Sequence, residues 1–447
     1  MKILLVKCHK KTIYSRFEPV VTEPLELEIL SAKLEQLKIE HRIYDNLLEG
    51  GNFREVIREY EPNLLLLSGY ITAVDVIVDC AQYGKKYNDK LKVVVGGVHA
   101  EMNYEDFFTA AIDVVVHSNG INILENLLST NFHEKELKNL PGIAYQIQGK
   151  WQINQKIPTD LRTTPLANRS YFERHQGRTR YMNYSPVSMV KTALSCPYAC
   201  NFCYCKQLNM GNYVHRDMEQ ILEEISQVSS EYIWIIDDTF LIDRKRILSF
   251  IHGIKKKKID KKFIAYSRVD FIARHEDIIE KLADIGFVEL IVGMEAIEDR
   301  FLEDFKKAST LAENERAIEL LRKHEIRLTA LFIVGIDFTG KDFQQLRTWI
   351  KKRKLESYTV SIFTPLKGTE AYDLYEEKLM TKDWGKFDLL HLTLKPAHMH
   401  PILFYFNFYW IYVEQLFRSR TIRSFIFKSL KGKYIGSLKN LWMWWRA

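Results

Sequence analysis

Long hydrophobic runs are missing from this 447-residue chain. The longest lipid-like stretch, 401–413 (PILFYFNFYWIYV), falls well short of the roughly 20 residues needed to cross a bilayer. The start, MKILLVKCHKK, places a short apolar run ahead of its basic residues, which is not signal-peptide order, so the chain is expected to be cytoplasmic. Cysteine is scarce: six residues, too few and too unevenly placed for a disulfide framework. Proline (11) and glycine (20) are also low, which favours long regular elements over linkers. No internal repeat or low-complexity tract is present. A net charge of +7 is modest for this length and does not mark a nucleic-acid binder. What remains, 47% hydrophobic and 27% charged residues, is ordinary folded protein, excluding global disorder and collagen. At roughly 100–200 residues per domain the length predicts two or three domains.

The first 150 or so residues alternate short apolar runs with amphipathic stretches. KILLVKC, HRIYD, NLLLLSGY, KVVVGGVH and DVVVHSNG read as strands, with helices at LELEILSAKLEQL, FREVIREY, VDVIVDCAQYGKKY and ILENLL. Continuous β-branched runs between helices predict a parallel sheet covered on both faces. Ligands of such a sheet bind beyond the carboxyl ends of its strands. Those ends carry Ser68, Gly69 and Tyr70, then Gly96, Gly97 and His99, then Ser118, Asn119 and Gly120. GIAYQIQGKWQINQ predicts a closing hairpin around Gln148-Gly149. After a polar connection, six further strand–helix units begin at Val187 and fit a closed or partly closed barrel, with chemistry at its carboxyl end. After about residue 380 the chain turns aromatic and basic and is expected to be mainly helical. The expected divisions are 1–158, 159–380 and 381–447.

Four of the six cysteines crowd into ten positions: Cys196, Cys200, Cys203 and Cys205. The first three follow the first barrel strand as C-x3-C-x2-C (CPYACNFC), where a barrel binds its ligands. Three thiolates on a short loop suit an iron–sulfur cluster, and three ligands for four irons leave one iron open. A structural zinc site, with Cys205 or a histidine as fourth ligand, is the alternative. Zinc sites usually pair two C-x-x-C knuckles, and no second knuckle is present.

This spacing, with an aromatic before the last cysteine, resembles the radical S-adenosylmethionine enzymes. The resemblance implies that Cys196, Cys200 and Cys203 hold a 4Fe-4S cluster whose open iron chelates S-adenosylmethionine, which is cleaved to a 5′-deoxyadenosyl radical. It implies that Phe202 packs near the adenine and that Asp237 and Asp238, ending the second barrel strand, contact the amino group. Arg268 ends the third strand and Glu295 the fourth, where a carboxylate accepts from both ribose hydroxyls. Asp237 has a second reading as a helix N-cap.

An open α/β domain ahead of such a barrel resembles the cobalamin-binding subclass. Ser68 and Tyr70 after the third strand and Gly96-Gly97 after the fourth match positions lining the cofactor. Glycine lets the backbone approach a bulky ligand, and a serine hydroxyl bonds a buried base. Two departures stand out. The Asp-x-His-x-x-Gly signature is replaced by Cys8-His9-Lys10-Lys11-Thr12, which suggests cobalt without a protein imidazole. The usual Gly-Glu-Gly-Glu loop reads Ser118-Asn119-Gly120-Ile121.

Residues 415–447 carry eight Lys or Arg and no Asp or Glu, interleaved with Phe417, Phe425, Phe427, Trp442, Trp444 and Trp445. That mixture suits a helix on an anionic membrane surface, or a helix packing its aromatics on the barrel with its basic residues in water. RNA binding ranks last, because no RNA module accompanies the segment.

Together these features imply a Rossmann-like cobalamin-binding domain, a partial (β/α)6 radical barrel and a mainly helical C-terminal segment. The implied function is methylation of an unactivated carbon of a small-molecule or lipid-like substrate. The implied cofactors are the cluster, S-adenosylmethionine and cobalamin; the implied partners are a reducing electron-donor protein and a membrane surface touched through 415–447, without nucleic acid. Alternatives are a radical cyclase or rearrangement enzyme resembling the anaerobic magnesium-porphyrin ester cyclases, and a non-catalytic cobalamin- or metal-binding regulator. A methylthiotransferase needs three more cluster cysteines in the first domain, where only Cys8 and Cys80 stand.

Overall fold

The computed structural model describes residues 1–11, 18–118 and 120–430. Two sheets organise them. The first holds β1 (Lys2–Lys7), β2 (Glu40–Asp45), β3 (Leu64–Ser68), β4 (Lys92–Gly96), β5 (Val114–Val116), β6 (Ile143–Ile147) and β7 (Lys150–Ile153), in the order β2-β1-β3-β4-β5-β6-β7. The first five strands pair in parallel, and the β6–β7 hairpin adds antiparallel to the edge. β3 and β5 are buried at every residue, as their unbroken apolar runs require of strands covered on both faces.

The second sheet holds β8 (Val187–Val190), β9 (Tyr232–Ile235), β10 (Lys262–Arg268), β11 (Phe287–Glu295), β12 (Arg327–Val334) and β13 (Ser357–Ile362). All six are parallel and lie in chain order, with β8 and β13 as the two edges, so the barrel is partial. Its amino-terminal end is closed by a crossing segment. Val20–Val21 pairs with Arg180–Tyr181, and Tyr181 packs on Trp234 at 4.7 Å while its hydroxyl donates to Glu289 at 3.2 Å. The carboxyl end remains as the approach to the barrel.

One local expectation needs correction. The strand expected to run through KVVVGGVH stops at Gly96, and a helix, Val98–Asn103, begins at once. Gly97 has φ +101°, a conformation reserved almost entirely for glycine, and it turns the chain out of the sheet. As expected, the described part of the C-terminal segment is helical, over Pro401–Arg418 and Arg420–Leu430, after one short turn at Trp384–Lys386. The first of those helices starts where His400 caps it and Pro401 sits in its first turn. Trp442, Trp444 and Trp445, and all of 431–447, lie outside the described residues.

A buried ionic cluster joins the two sheets. Arg169, from the connection, donates to Glu23 at 2.8 Å and Glu224 at 2.5 Å and lies 3.4 Å from Glu28; Arg216 also reaches Glu224. Glu23 additionally accepts from Ser188 and the Met189 amide of β8. Burial, and then the neighbouring Glu23, push the Glu28 carboxyl well above its ordinary range. A protonated Glu28 leaves two guanidinium groups facing two carboxylates, which is the neutral arrangement that a low-dielectric seam favours.

Candidate functional site

The cysteine loop leaves β8 through a braced approach. Asp237, just beyond β9, accepts from the Thr192 amide at 2.6 Å and the Ala193 amide at 2.9 Å and touches the Thr192 hydroxyl. Arg246 lies 3.9 Å from the same carboxylate. The loop is pinned again where Ala193 and Leu194 pair with His215 and Val214. Asp237 is therefore committed to the protein's own backbone, and it is no N-cap, since Asp243 caps the following helix. Asp238 points the other way: it is 3.9 Å from Lys191, and its Oδ2 is buried without a partner.

Cys196, Cys200 and Cys203 are half-buried on this loop. Burial pushes the Cys196 thiol up to about 11 and raises Cys200, the latter opposed by Lys307 and Arg268. Cys203 is instead lowered, chiefly by a hydrogen bond with Cys205. Cys205 thus stands beside a candidate ligand as a neighbour to its sulfur. Among the described residues, no three Cys, His, Asp or Glu side chains converge as ligands of one ion would. Three thiols on one short loop are the donor chemistry that holds the irons of an iron–sulfur cluster, so the residues present fit that group.

Arg268 and Glu295 border the loop. Arg268 lies 3.7 Å over the Tyr198 ring, donates to Asp270 at 2.9 Å and reaches the Cys200 sulfur at 3.7 Å. Glu295, in the left-handed region at φ +61°, pairs with Lys307 at 2.6 Å and is buried. Any Cβ at Gly293 would lie 2.3 Å from the Glu295 carboxylate, so glycine there leaves room for the pair. Phe202 packs edge-on against Phe305 at 5.4 Å, anchoring the loop from beneath.

On the first sheet, Ser68 Oγ donates to Glu26 at 3.2 Å, and Tyr70 is half exposed with Lys7 4.8 Å from its ring. A Cβ on Gly97 would sit 2.9 Å from Ser68 Oγ, so glycine there lets the turn after β4 close on Ser68, and small residues at these strand ends suit close approach by a bulky cofactor. His9 is held by Asp45 at 3.2 Å. The carboxyl ends of the two sheets face each other across a cavity of about 320 Å³, lined by Tyr70, His99, Met102, Tyr204, Lys367 and Leu389. Tyr70 and His99, from the loops that follow Ser68 and Gly97, thus share this cavity with Tyr204, the residue after Cys203, and with Leu366 and Lys367 from the turn after β13.

Sequence reasoning missed Lys191, Lys307 and Lys367. Lys191 directly follows the buried run of β8, the same strand-end signal that marked Asp237 and Arg268. Lys307 sits in an irregular connection and offers no pattern. Lys367 was visible only as part of the turn Thr364–Thr369 after the sixth strand.

Comparison with known proteins places both halves. The model for the Radical SAM superfamily matches residues 190–350, and that for the B12 binding domain matches 19–128. An uncharacterized methyltransferase from Pyrococcus horikoshii is 26% identical over 413 residues, covering 89% of this chain and 88% of that protein. The hopanoid C-3 methylase of Methylococcus capsulatus is 23% identical over 384 residues, covering 83% and 72% respectively. The solved structure of the radical S-adenosylmethionine methyltransferase TsrM from Kitasatospora setae, with cobalamin and a [4Fe-4S] cluster bound, shares the fold at a TM-score of 0.67. That likeness has 16% identity and covers 90% of this chain and 83% of the other. With the three-cysteine loop on a partial barrel at its start, residues 190–350 match the Radical SAM superfamily, and the parallel sheet ahead of it carries the B12 binding domain match at 19–128.

Proposed function

We propose that this protein is a cobalamin-dependent radical methylase acting on an unactivated carbon of a small-molecule or lipid-like substrate. The observation that carries the reading is one cavity lined both by Tyr70 and His99 of the first unit's strand-end loops and by Tyr204, which adjoins Cys203 on the cysteine loop. When bound, the cluster with S-adenosylmethionine supplies a hydrogen-abstracting radical and cobalamin supplies a transferable methyl group.

The chain's own residues hold and orient. In this reading Cys196, Cys200 and Cys203 hold the cluster, and Asp237 fixes their loop. Asp238, with its open oxygen, Glu295 and Arg268 face S-adenosylmethionine, and Phe202 supports its adenine side. Ser68, Tyr70, Gly96 and Gly97 receive cobalamin. Tyr204 and Leu389 keep water from the space between. The working divisions are 1–158 for the cobalamin-type unit, 159–380 for the barrel and 381–447 for the C-terminal region. A reducing electron-donor protein and a membrane surface contacted through 415–447 complete the partners. No helix among the described residues is long and apolar enough to cross a membrane.

Anaerobic purification with cobalamin present, followed by iron, cobalt and product analysis with methyl-labelled S-adenosylmethionine, tests the reading. Label in a product supports methylation. Formation of 5′-deoxyadenosine with no label in any product points instead to cyclisation or rearrangement, and absence of both iron and 5′-deoxyadenosine to a non-catalytic regulator.

A further inference from the structure

The helix Pro401–Arg418 has two apolar faces, and among the described residues one packs on the barrel while the other is exposed. Phe404, Phe408 and Ile411 are buried against the barrel, with Phe404 edge-on to Phe343 at 5.2 Å. The opposite face carries Ile402, Phe406, Tyr409, Trp410, Val413 and Phe417 at three- and four-residue spacing, all exposed, Phe406 at 61% and Phe417 at 74%. Single exposed apolar residues need no explanation, but a helix-long stripe does. The stripe leads directly into the region without acidic residues. Arg418, Arg420 and Arg423 follow it, and 415–447 holds eight basic residues against no acidic one. Aromatic and aliphatic groups on one face, with basic charge at the adjoining end, match an anionic lipid surface.

The helix also lies in a useful direction. Gln415 donates to the Tyr358 carbonyl at 2.8 Å, and the Val360 amide donates to Tyr412 at 3.0 Å, so the helix runs antiparallel to β13. Its Pro401 end therefore points towards the carboxyl end of the barrel. There the Ile362 amide bonds Leu389, which lines the cavity, and Leu389 and Leu390 are both exposed.

We infer that the outward face of Pro401–Arg418 rests on an anionic phospholipid bilayer, with the cavity rim at the lipid boundary. This deepens the membrane contact proposed above, moving its apolar part from 415–447 to 402–417. It gives a lipid-like substrate a route to the site that avoids open water.

The test is co-flotation of the full-length protein with vesicles of phosphatidylcholine alone or mixed with phosphatidylglycerol, without substrate or turnover. The wild type should float with the anionic vesicles, and Phe406→Ser/Trp410→Ser/Phe417→Ser should weaken binding about tenfold or more. The melting temperature and reconstituted iron content of that variant should match the wild type. If it does not fold, Leu403→Gln/Phe406→Gln serves the same comparison. A wild type that stays unbound overturns the inference, as does equal binding by wild type and variant. So does a wild-type dimer that the variant dissolves without any vesicle binding, which would make a second copy the occupant. Labelled product from a protein that never floats would retain the methylase reading and reject this one.

Discussion

Asp106, in a turn of the first sheet's loops, accepts from Lys367 at 2.5 Å although 261 residues separate them. His99 Nε2 meets the other oxygen of Asp106 at 2.8 Å, and Lys367 lies 5.5 Å from the Trp384 ring. The turn after the last barrel strand is thereby fastened to the sheet that carries Gly97, at the edge of the shared cavity. Burial alone would raise the Asp106 carboxyl, but the hydrogen bonds from His99 and Lys367 outweigh it and hold it below its ordinary value.

That latch predicts a pH-dependent loss in Lys367→Met. A carboxyl depressed in the folded state adds stability above its unfolded pKa, and that stability is lost as pH falls through the folded value. Urea denaturation at neutral pH should show Lys367→Met less stable by about 1–2 kcal/mol. The gap should close as pH drops below about 4. A gap that persists in acid would show that packing, not the ion pair, is lost.

Glu28 predicts the opposite slope. Its carboxyl, raised by burial and then by Glu23, keeps a proton that the unfolded chain has already released. Native protein binding more protons than unfolded means that stability falls as pH rises above about 4.3, until the folded value is passed. Glu28→Gln imitates the protonated acid, so its stability should flatten across that window and exceed the wild type at its upper end. Equal pH profiles in the two proteins would contradict a protonated Glu28.

Iron content separates the four clustered cysteines. Cys196→Ala, Cys200→Ala and Cys203→Ala should each lose most of the roughly four irons per chain after anaerobic reconstitution. Cys205→Ala should keep its iron, with a changed absorption spectrum, because its thiol only neighbours Cys203. Iron lost equally from Cys205→Ala would make it a ligand.

Gly97→Ala should strain the turn that follows β4 and displace Ser68. The new methyl meets Ser68 Oγ at 2.9 Å in a backbone conformation that costs a non-glycine residue about 1–3 kcal/mol. Cobalamin retained on purification should fall sharply while iron stays at the wild-type level. Unchanged cobalt would move the cofactor away from Gly97.

Glu295→Gln should weaken S-adenosylmethionine binding to the reconstituted protein by about tenfold, the scale of a hydrogen bond to a charged group. Calorimetry reads this without turnover. Unaltered affinity would leave Glu295 solely as the partner of Lys307.

The parallel sheets were legible because their strands are unbroken apolar runs between amphipathic helices, and strand ends then located Cys196, Asp238 and Glu295. His99 was misread because apolar valines flank Gly96-Gly97 on both sides, and only backbone angle separates strand from helix there. The Val20–Val21 and Arg180–Tyr181 closure is too short to leave a period. Arg169 and Lys367 were illegible for another reason: each is an isolated basic residue in a polar stretch, and its partners are fixed only when two units dock. Asp237 was found by position, yet its oxygens face Thr192 and Ala193, a distinction that strand alternation hints at and only coordinates supply.

The ionic seam around Arg169 bears on how ligands come and go. Swinging the two sheets apart would part Arg169 from Glu28 on one side or Glu224 on the other, and breaking such a buried pair typically costs about 3–5 kcal/mol. That cost opposes a hinge at the seam. Tyr70 and Leu389, exposed at the cavity rim, are uncharged side chains outside that cluster, so a ligand passing them leaves the ionic seam intact.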